Sequence, residues 1–349
     1  MNQEPLVSIV TPVYNEAEYL GECIESVLAQ TYDNWDYTVV DNCSTDTSLE
    51  IALRYAAKDK RIRVHRNERF LEMLANHNVA IRQISATSKY CKVVLADDWI
   101  FPQCLERMVA VAEKYPSVGI VSAYEQCGRQ IRIKGLPATQ TLVAGREACR
   151  QFLLGKLLLF GSQNSVLYRS DLVKSRDPFY DESNMYADFE SCFALLSNYD
   201  LGFVHDILTF SRQRPRSVGA VSADLGANFG SILTILFKYG KGCLSEKEYE
   251  ESLERYLAQY YSFLARRAIV ERNSYFWRFH KATFAMLGID FSTGKLAKSA
   301  LIELGDALVH PRATLGSVRR LFTLRKIRNV RMRSVVSQGN VSPTQHTIQ

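Results

Sequence analysis

The stretch Val93-Val94-Leu95-Ala96-Asp97-Asp98-Trp99-Ile100-Phe101-Pro102 decides the fold class. Its four leading apolar residues, Val93 to Ala96, have the length of a buried strand, and two adjacent aspartates end it. Pro102 stands where the first turn of a helix tolerates it, ahead of Leu105, Met108, Val109 and Ala112 at helical spacing. Two carboxylates side by side at a strand end repel each other unless a cation is near. A hard divalent ion held by one or two carboxylates plus phosphate oxygens removes that penalty and neutralises a departing diphosphate. A solvated loop tip is the plain alternative for an isolated Asp-Asp pair, so the surroundings decide.

Outward from this stretch the chain alternates short β-rich runs with helical periods. Leu6 to Val10 reads as a strand, and Leu20, Cys23, Ile24, Val27 and Leu28 give the next helix its apolar stripe, with Asn15 and Glu18 as a capping box. Tyr37 to Val40 reads as the second strand, and Leu49, Ala52, Leu53 and Ala56 stripe the second helix. Ile62 to Val64, a helix within 71–84, and a strand at Val118 to Ala123 continue the pattern. Repeated β-α units of this kind predict an α/β fold with a mostly parallel central sheet. In such sheets ligands sit outside the carboxyl ends of the strands. Three polar clusters fall there: Thr11 to Glu16, Asp41 to Asp46, and Asp97-Asp98. Ser44, Thr45 and Asp46 also suit a helix N-cap. No Walker-type loop or GxGxxG turn competes for phosphate.

Bulk properties bound the rest. At 349 residues, 47% hydrophobic and 23% charged, the chain has the composition of a globular protein with room for roughly two domains. Eight cysteines form no CxxC pair and lie at no zinc-ligand spacing, which favours free thiols in a reducing compartment. The start MNQEPLVSIV lacks the pattern of a signal peptide, and no window holds the ~18 apolar residues of a membrane span, so a cytoplasmic protein is expected. The +6 net charge is uneven. After Asp306 no acidic residue follows, while Arg312, Arg319, Arg320, Arg325, Lys326, Arg328, Arg331 and Arg333 do. That asymmetry points to an anionic partner for the tail and not to nucleic-acid binding by the whole protein.

PLVSIVTPVYNEAEYL (5–20), VVDNCSTDTS (39–48) and VVLADDWIFPQCLERMV (93–109) together resemble the signature segments of family 2 glycosyltransferases of the GT-A fold, a likeness that extends over roughly residues 5–218. The resemblance implies an inverting, nucleotide-sugar-dependent enzyme. Thr11, Tyr14 and Glu16 then match the segment that cradles the nucleotide, and Asp41 matches the aspartate that contacts base or ribose. Asp98 matches the ligand of Mg2+ or Mn2+, and Asp97 matches the contact to ribose or sugar. Two departures stand out: Leu95 where many relatives carry a further aspartate, and His77-Asn78 where they read Arg-Asn.

The downstream half matches as well. Gly161-Ser162 and Val166 to Arg169 resemble the segment before the acceptor site. Ala187-Asp188-Phe189-Glu190 resembles the stretch with the catalytic base, which implies Asp188 in that role, with Glu190 as the alternative. An inverting transfer needs one carboxylate to take the acceptor hydroxyl's proton; on residue pattern alone Asp188 reads equally as a helix cap. Phe210 to Ser217 resembles the late Tyr-Arg-x-His-x-x-Ser segment, with Arg214 in place of histidine. Arg212 or Arg214 would pair with the diphosphate; an exposed basic loop is the other reading.

The expected organisation is a GT-A domain over residues 1–222, a helical region over 223–336 and a frayed tail over 337–349. Val318, Leu321, Phe322 and Leu324 among Arg319, Arg320, Arg325 and Lys326 fit a basic amphipathic helix on the inner face of a membrane, or one that packs on the chain or on a second subunit. The expected reaction moves a sugar, with a UDP-sugar favoured over a dTDP-sugar, to a glycan or lipid-linked acceptor in bacterial surface polysaccharide biosynthesis. The alternatives are a non-catalytic assembly protein of the same fold and a sugar nucleotidyltransferase. Against the latter, Thr11 to Glu16 contains no glycine.

Overall fold

The computed structural model describes residues 4–214, 218–268, 271 and 273–309, with side chains left aside at 218–221 and 306–309. The basic segment 312–333 and the tail 337–349 lie outside the described residues. The chain divides into two compact units, one of Met1–Val221 with Ile235–Tyr249, the other of Ser222–Thr234 with residues from Glu250 onward.

The first unit is an α/β layer built on one sheet. Its strands are β1 (Val7–Val13), β2 (Trp35–Asp41), β3 (Ile62–Arg66), β4 (Tyr90–Val93), β5 (Trp99–Ile100), β6 (Val118–Cys127), β7 (Gln130–Arg132), β8 (Leu142–Val143), β9 (Val166–Arg169) and β10 (Asp200–Ser211). Spatial order is β3-β2-β1-β4-β9-β6-β10-β5, with β7 beside β6 and β8 beside β10. The β3-β2-β1-β4 half is parallel. β9 runs antiparallel between β4 and β6, and β6 and β10 are again parallel. Its helices are α1 (Leu20–Leu28), α2 (Ser48–Ala56), α3 (Met73–Arg82), α4 (Cys104–Lys114), α5 (Gly145–Leu153), α6 (Ser170–Lys174) and α7 (Ala187–Leu196).

Every residue of β1 is buried, because a central strand covered by helices on both faces has no polar side. α1 buries Leu20, Cys23, Ile24 and Val27, and α4 buries Leu105, Met108, Val109 and Ala112, as their spacing predicts. All eight cysteines are free, six of them buried.

Four local expectations need correction. β4 ends at Val93, so Val94 to Ala96 lie outside the strand, with Val94 and Ala96 buried, and Asp97-Asp98 sit in the following turn, closed by Asp98 N–H donating to the Leu95 carbonyl. α4 starts at Cys104, two residues past Pro102. Leu53 is 51% exposed; Ala52 is the buried residue of that stripe. Asn15 does not cap α1, whose N-cap is Tyr19 with no side-chain bond. It adopts a left-handed φ of 53°, and its Oδ1 accepts the Thr45 N–H instead.

The later helices are α8 (Val218–Leu225), α9 (Ala227–Cys243), α10 (Glu246–Ala268), α11 (Ser274–Met286) and α12 (Thr293–Val309). Within the second unit, Tyr260 and Phe284 stack at 4.8 Å, and Tyr260 is hydrogen-bonded to buried His280 at 2.6 Å. Among the described residues no helix is long and apolar enough to cross a membrane.

Candidate active site

The rim of the first unit forms where β1 and β2 end and where the Asp97-Asp98 turn meets the end of β10. Asn15 ties the first two loops together: its backbone N–H donates to Ser44 Oγ at 3.1 Å and its Oδ1 accepts from Thr45 at 2.8 Å. Asp46 accepts the Ala17 and Ser48 N–H groups, both at 3.0 Å. Burial would raise its pKa, but these hydrogen bonds outweigh it and hold the carboxyl below the usual range.

Asp41 is 1% exposed at the end of β2, receives the Ser44 N–H at 3.3 Å, and has the Arg66 Nε at 3.6 Å. Beyond it an asparagine network fixes the 67–71 loop: Asn67 donates to Asn42 and Asn76, both at 2.9 Å, and Asn42 Oδ1 accepts the Leu71 N–H at 2.9 Å. That loop sets Phe70 against Tyr14, ring centroids 4.8 Å apart, each about 40% exposed. Two half-exposed rings beside a buried carboxylate offer a flat face for a base and an acceptor for its N–H. Thr11 lies lower: it is fully buried and its hydroxyl accepts from Tyr37 at 2.8 Å, so it supports the rim without reaching it.

The Asp97-Asp98 turn is held by β5 and β10. Trp99 stacks on Phe210 at 3.6 Å, and their antiparallel pairing carries Ser211 and Arg212 onto Asp98. Asp98 is 4% exposed; it accepts the Arg212 N–H at 2.8 Å and the Ser211 hydroxyl at 3.1 Å. Burial, reinforced by Asp97, pushes its pKa up to about 8. Arg212 donates to the Asp97 carbonyl and stacks over Tyr19 at 4.4 Å. Arg214 grips Glu16 with both terminal nitrogens, at 2.8 and 2.7 Å, and Asp97 at 2.5 Å. Burial still leaves the Glu16 pKa raised against that guanidinium.

Glu125 is the residue that sequence reading missed. It is 3% exposed on β6 and accepts the Ser162 hydroxyl at 2.6 Å and the Ser211 hydroxyl at 2.7 Å. Through Ser211 it reaches Asp98, and its charge raises the pKa of both Asp98 and Asp188. Asp188 is the second residue of α7, whose N-cap is Tyr186; it is half-buried and accepts the Phe189 N–H at 2.9 Å. It has no ion-pair partner among the described residues, and burial pushes its pKa up to about 7. The neighbouring Glu190 is spoken for. It is fully buried and bonded to Arg176, Lys238 and Tyr239, whose combined pull outweighs burial and keeps its pKa low.

His77 is half-buried and paired with Gln163 at 2.9 Å, and desolvation drops its pKa to about 4, so its imidazole is neutral and already partnered. Buried Lys92 donates to the carbonyls of Asn164 and Val166, and Asn164 donates to the Phe210 carbonyl at 3.1 Å, which fixes the short turn Gln163–Ser165 beside β10.

The family model for glycosyl transferase family 2 matches residues 8–176. That span carries a family 2 glycosyl transferase domain. It includes all three rim clusters and Glu125, and the fold is the GT-A type. Among curated relatives, the chain is 38% identical over 122 residues to "Putative glycosyltransferase EpsE" of Bacillus subtilis, a match covering 35% of this chain and 43% of that protein. It is 35% identical over 97 residues to "Putative teichuronic acid biosynthesis glycosyltransferase TuaG" of the same organism, covering 28% and 38%. The matched region thus spans less than half the length of these relatives. Among solved structures, Staphylococcus aureus TarS 1-349 in complex with UDP aligns with a TM-score of 0.53 at 19% identity over 73% of this chain and 72% of that one. The mannosyltransferase PcManGT from Pyrobaculum calidifontis, in complex with GDP-Man and Mn2+, aligns with 0.53 at 15% over 94% and 88%. At such identities the likeness is one of fold.

Proposed function

We propose that the chain moves a sugar from a nucleoside diphosphate sugar, a UDP-sugar in first place, onto a hydroxyl of a glycan or lipid-linked acceptor, with inversion at the anomeric carbon. A role in bacterial surface polysaccharide biosynthesis is in keeping with the teichuronic acid name of one relative. The observation that carries this reading is buried Asp98, held by the Arg212 N–H and linked through Ser211 to Glu125 at the diphosphate end, with half-buried Asp188, which has no ion-pair partner among the described residues, for the acceptor end.

Tyr14, Phe70 and Asp41 would bind the base and ribose. Arg214, with Arg212 beside it, would pair with the diphosphate, bidentate geometry being what a guanidinium offers phosphate. The residues fit a hard divalent ion. Asp98 is a buried oxygen donor with no cation partner among the described residues, and in that state it holds a proton at neutral pH. Among the described residues no group of three or more His, Cys, Asp or Glu side chains forms a cage. That suits Mg2+ or Mn2+, which one or two carboxylates bind together with substrate phosphates. When bound, such an ion neutralises charge on the leaving diphosphate.

Asp188 takes the acceptor hydroxyl's proton. A base with a pKa near 7 combines a useful deprotonated fraction with strength enough to accept that proton. Fixed positions for donor and acceptor supply most of the remaining acceleration. The test is release of nucleoside diphosphate from UDP-, dTDP- and GDP-sugars, read with and without glycan acceptors, and the anomeric configuration of the product by NMR. Acceptor-dependent release with inversion supports the reading; retention of configuration refutes the role of Asp188, and no release from any donor refutes the function.

A further inference from the structure

The helix α12 leaves large apolar side chains exposed. Its start is anchored within the second unit: Ser292 N–H donates to the Tyr261 hydroxyl at 2.8 Å, and Ser292 Oγ accepts the Lys295 N–H at 3.1 Å. Its inward face is Leu296, Ser299, Ala300 and Glu303, spaced three and four apart and all half-buried. Glu303 is the fixed point, bonded to Ser262 and ion-paired with Arg266 at 2.8 Å, both on α10. An exposed flank of the helix carries Ala297, Leu301 and Leu304, with Leu301 71% and Leu304 50% exposed, and Ile302 is 56% exposed beyond Lys298. A helix that leaves Leu301, Ile302 and Leu304 exposed presents surface that water does not favour.

Charge narrows what covers it. Exposed Lys295 and Lys298 border the stripe, and the chain beyond Asp306 holds eight Lys and Arg and no acidic residue. A second copy of this face would bring these cations together, and the chain's own basic continuation would add to the same repulsion. An anionic bilayer answers both features, since the leucines enter the acyl boundary while the ammonium groups reach the headgroups.

We infer that α12 is a membrane-surface helix that docks its Ala297–Leu301–Leu304 face on anionic lipid. This contact is independent of the sugar chemistry proposed above. It lies in the plane of the surface and spans nothing.

The test uses the full chain in flotation with vesicles of phosphatidylcholine alone and of phosphatidylcholine with phosphatidylglycerol. The native chain floats with the anionic vesicles and stays behind with the neutral ones. Leu301→Asn combined with Leu304→Asn weakens flotation at least about tenfold, two buried leucines each contributing more than that factor in full transfer. Both side chains are at least half exposed, so the melting temperature of the variant matches the native one. The inference is overturned by native chain that ignores anionic vesicles, or by a variant that floats as well as native. A variant that dissociates a native dimer in light scattering without altering flotation assigns the face to self-association. One that melts lower, with flotation unaltered, assigns it to cover by the chain itself.

Discussion

Replacing Asp188 by asparagine tests it as a working base, because loss of the charge lowers turnover while it relieves a burial penalty; Tyr186, and not Asp188, holds the N-cap position of α7. Burial raises the Asp188 pKa from 3.8 to about 7, a shift of about three units. At about 1.36 kcal/mol per unit, ionising it in the folded state costs up to about 4 kcal/mol. The sign follows from the direction: a carboxyl raised in the folded state is no burden below about pH 4, where it is protonated in both states. The penalty grows between pH 4 and 7 and is constant above. The asparagine side chain keeps an acceptor for the Phe189 N–H and carries no charge. Thermal unfolding followed from pH 4 to 8 therefore shows native and variant alike at the acid end, with the variant more stable at pH 8. Turnover falls by about 10²–10⁴ over the same range, the contribution of a positioned base. Native turnover rises as pH passes through about 7, and nucleotide binding is unaltered. A variant less stable than native at pH 8 would contradict a carboxylate that burial penalises, and undiminished turnover would remove Asp188 from the chemistry.

Phe70→Ala removes one face of the aromatic pair with Tyr14 and lowers nucleoside diphosphate affinity by roughly tenfold, base–aromatic stacking being worth about 1–3 kcal/mol; calorimetric titration reads it. Glu190→Gln leaves Arg176 and Lys238 without their shared carboxylate and destabilises the first unit by about 3 kcal/mol in urea unfolding, while nucleotide affinity stays at the native value. Glu190 acting as the base would instead appear as lost turnover in a variant of native stability.

The rim was legible because polar residues interrupt apolar strands there, at Asp41 and at Asp97-Asp98, and a strand end is where such residues have a use. The α1 and α4 stripes were legible for the same local reason. Glu125 was not, because it sits within a strand of buried residues and its partners Ser162 and Ser211 are 37 and 86 positions away. Arg214 closing on Glu16 is a contact across 198 positions, which spacing along the chain does not encode. The shift of β4 toward Tyr90 has a related cause: Val94, Leu95 and Ala96 are apolar like strand residues, yet they lie outside the strand, Val94 and Ala96 within the core, and only pairing distinguishes the two. Asn15 had the right residue type for a cap, but the nearby 44–46 loop outcompetes the helix for its side chain.

The central claim, a cation-assisted nucleoside diphosphate site at Asp98, is tested most directly by calorimetric titration of the native chain and Asp98→Ala with UDP and dTDP, each with and without Mn2+. The account predicts that Mn2+ tightens nucleotide binding to the native chain at least about tenfold and that Asp98→Ala loses this gain while keeping weak metal-free binding through Tyr14, Phe70 and Asp41. Equal Mn2+ dependence in the variant, or no binding of either nucleotide to the native chain, would contradict it.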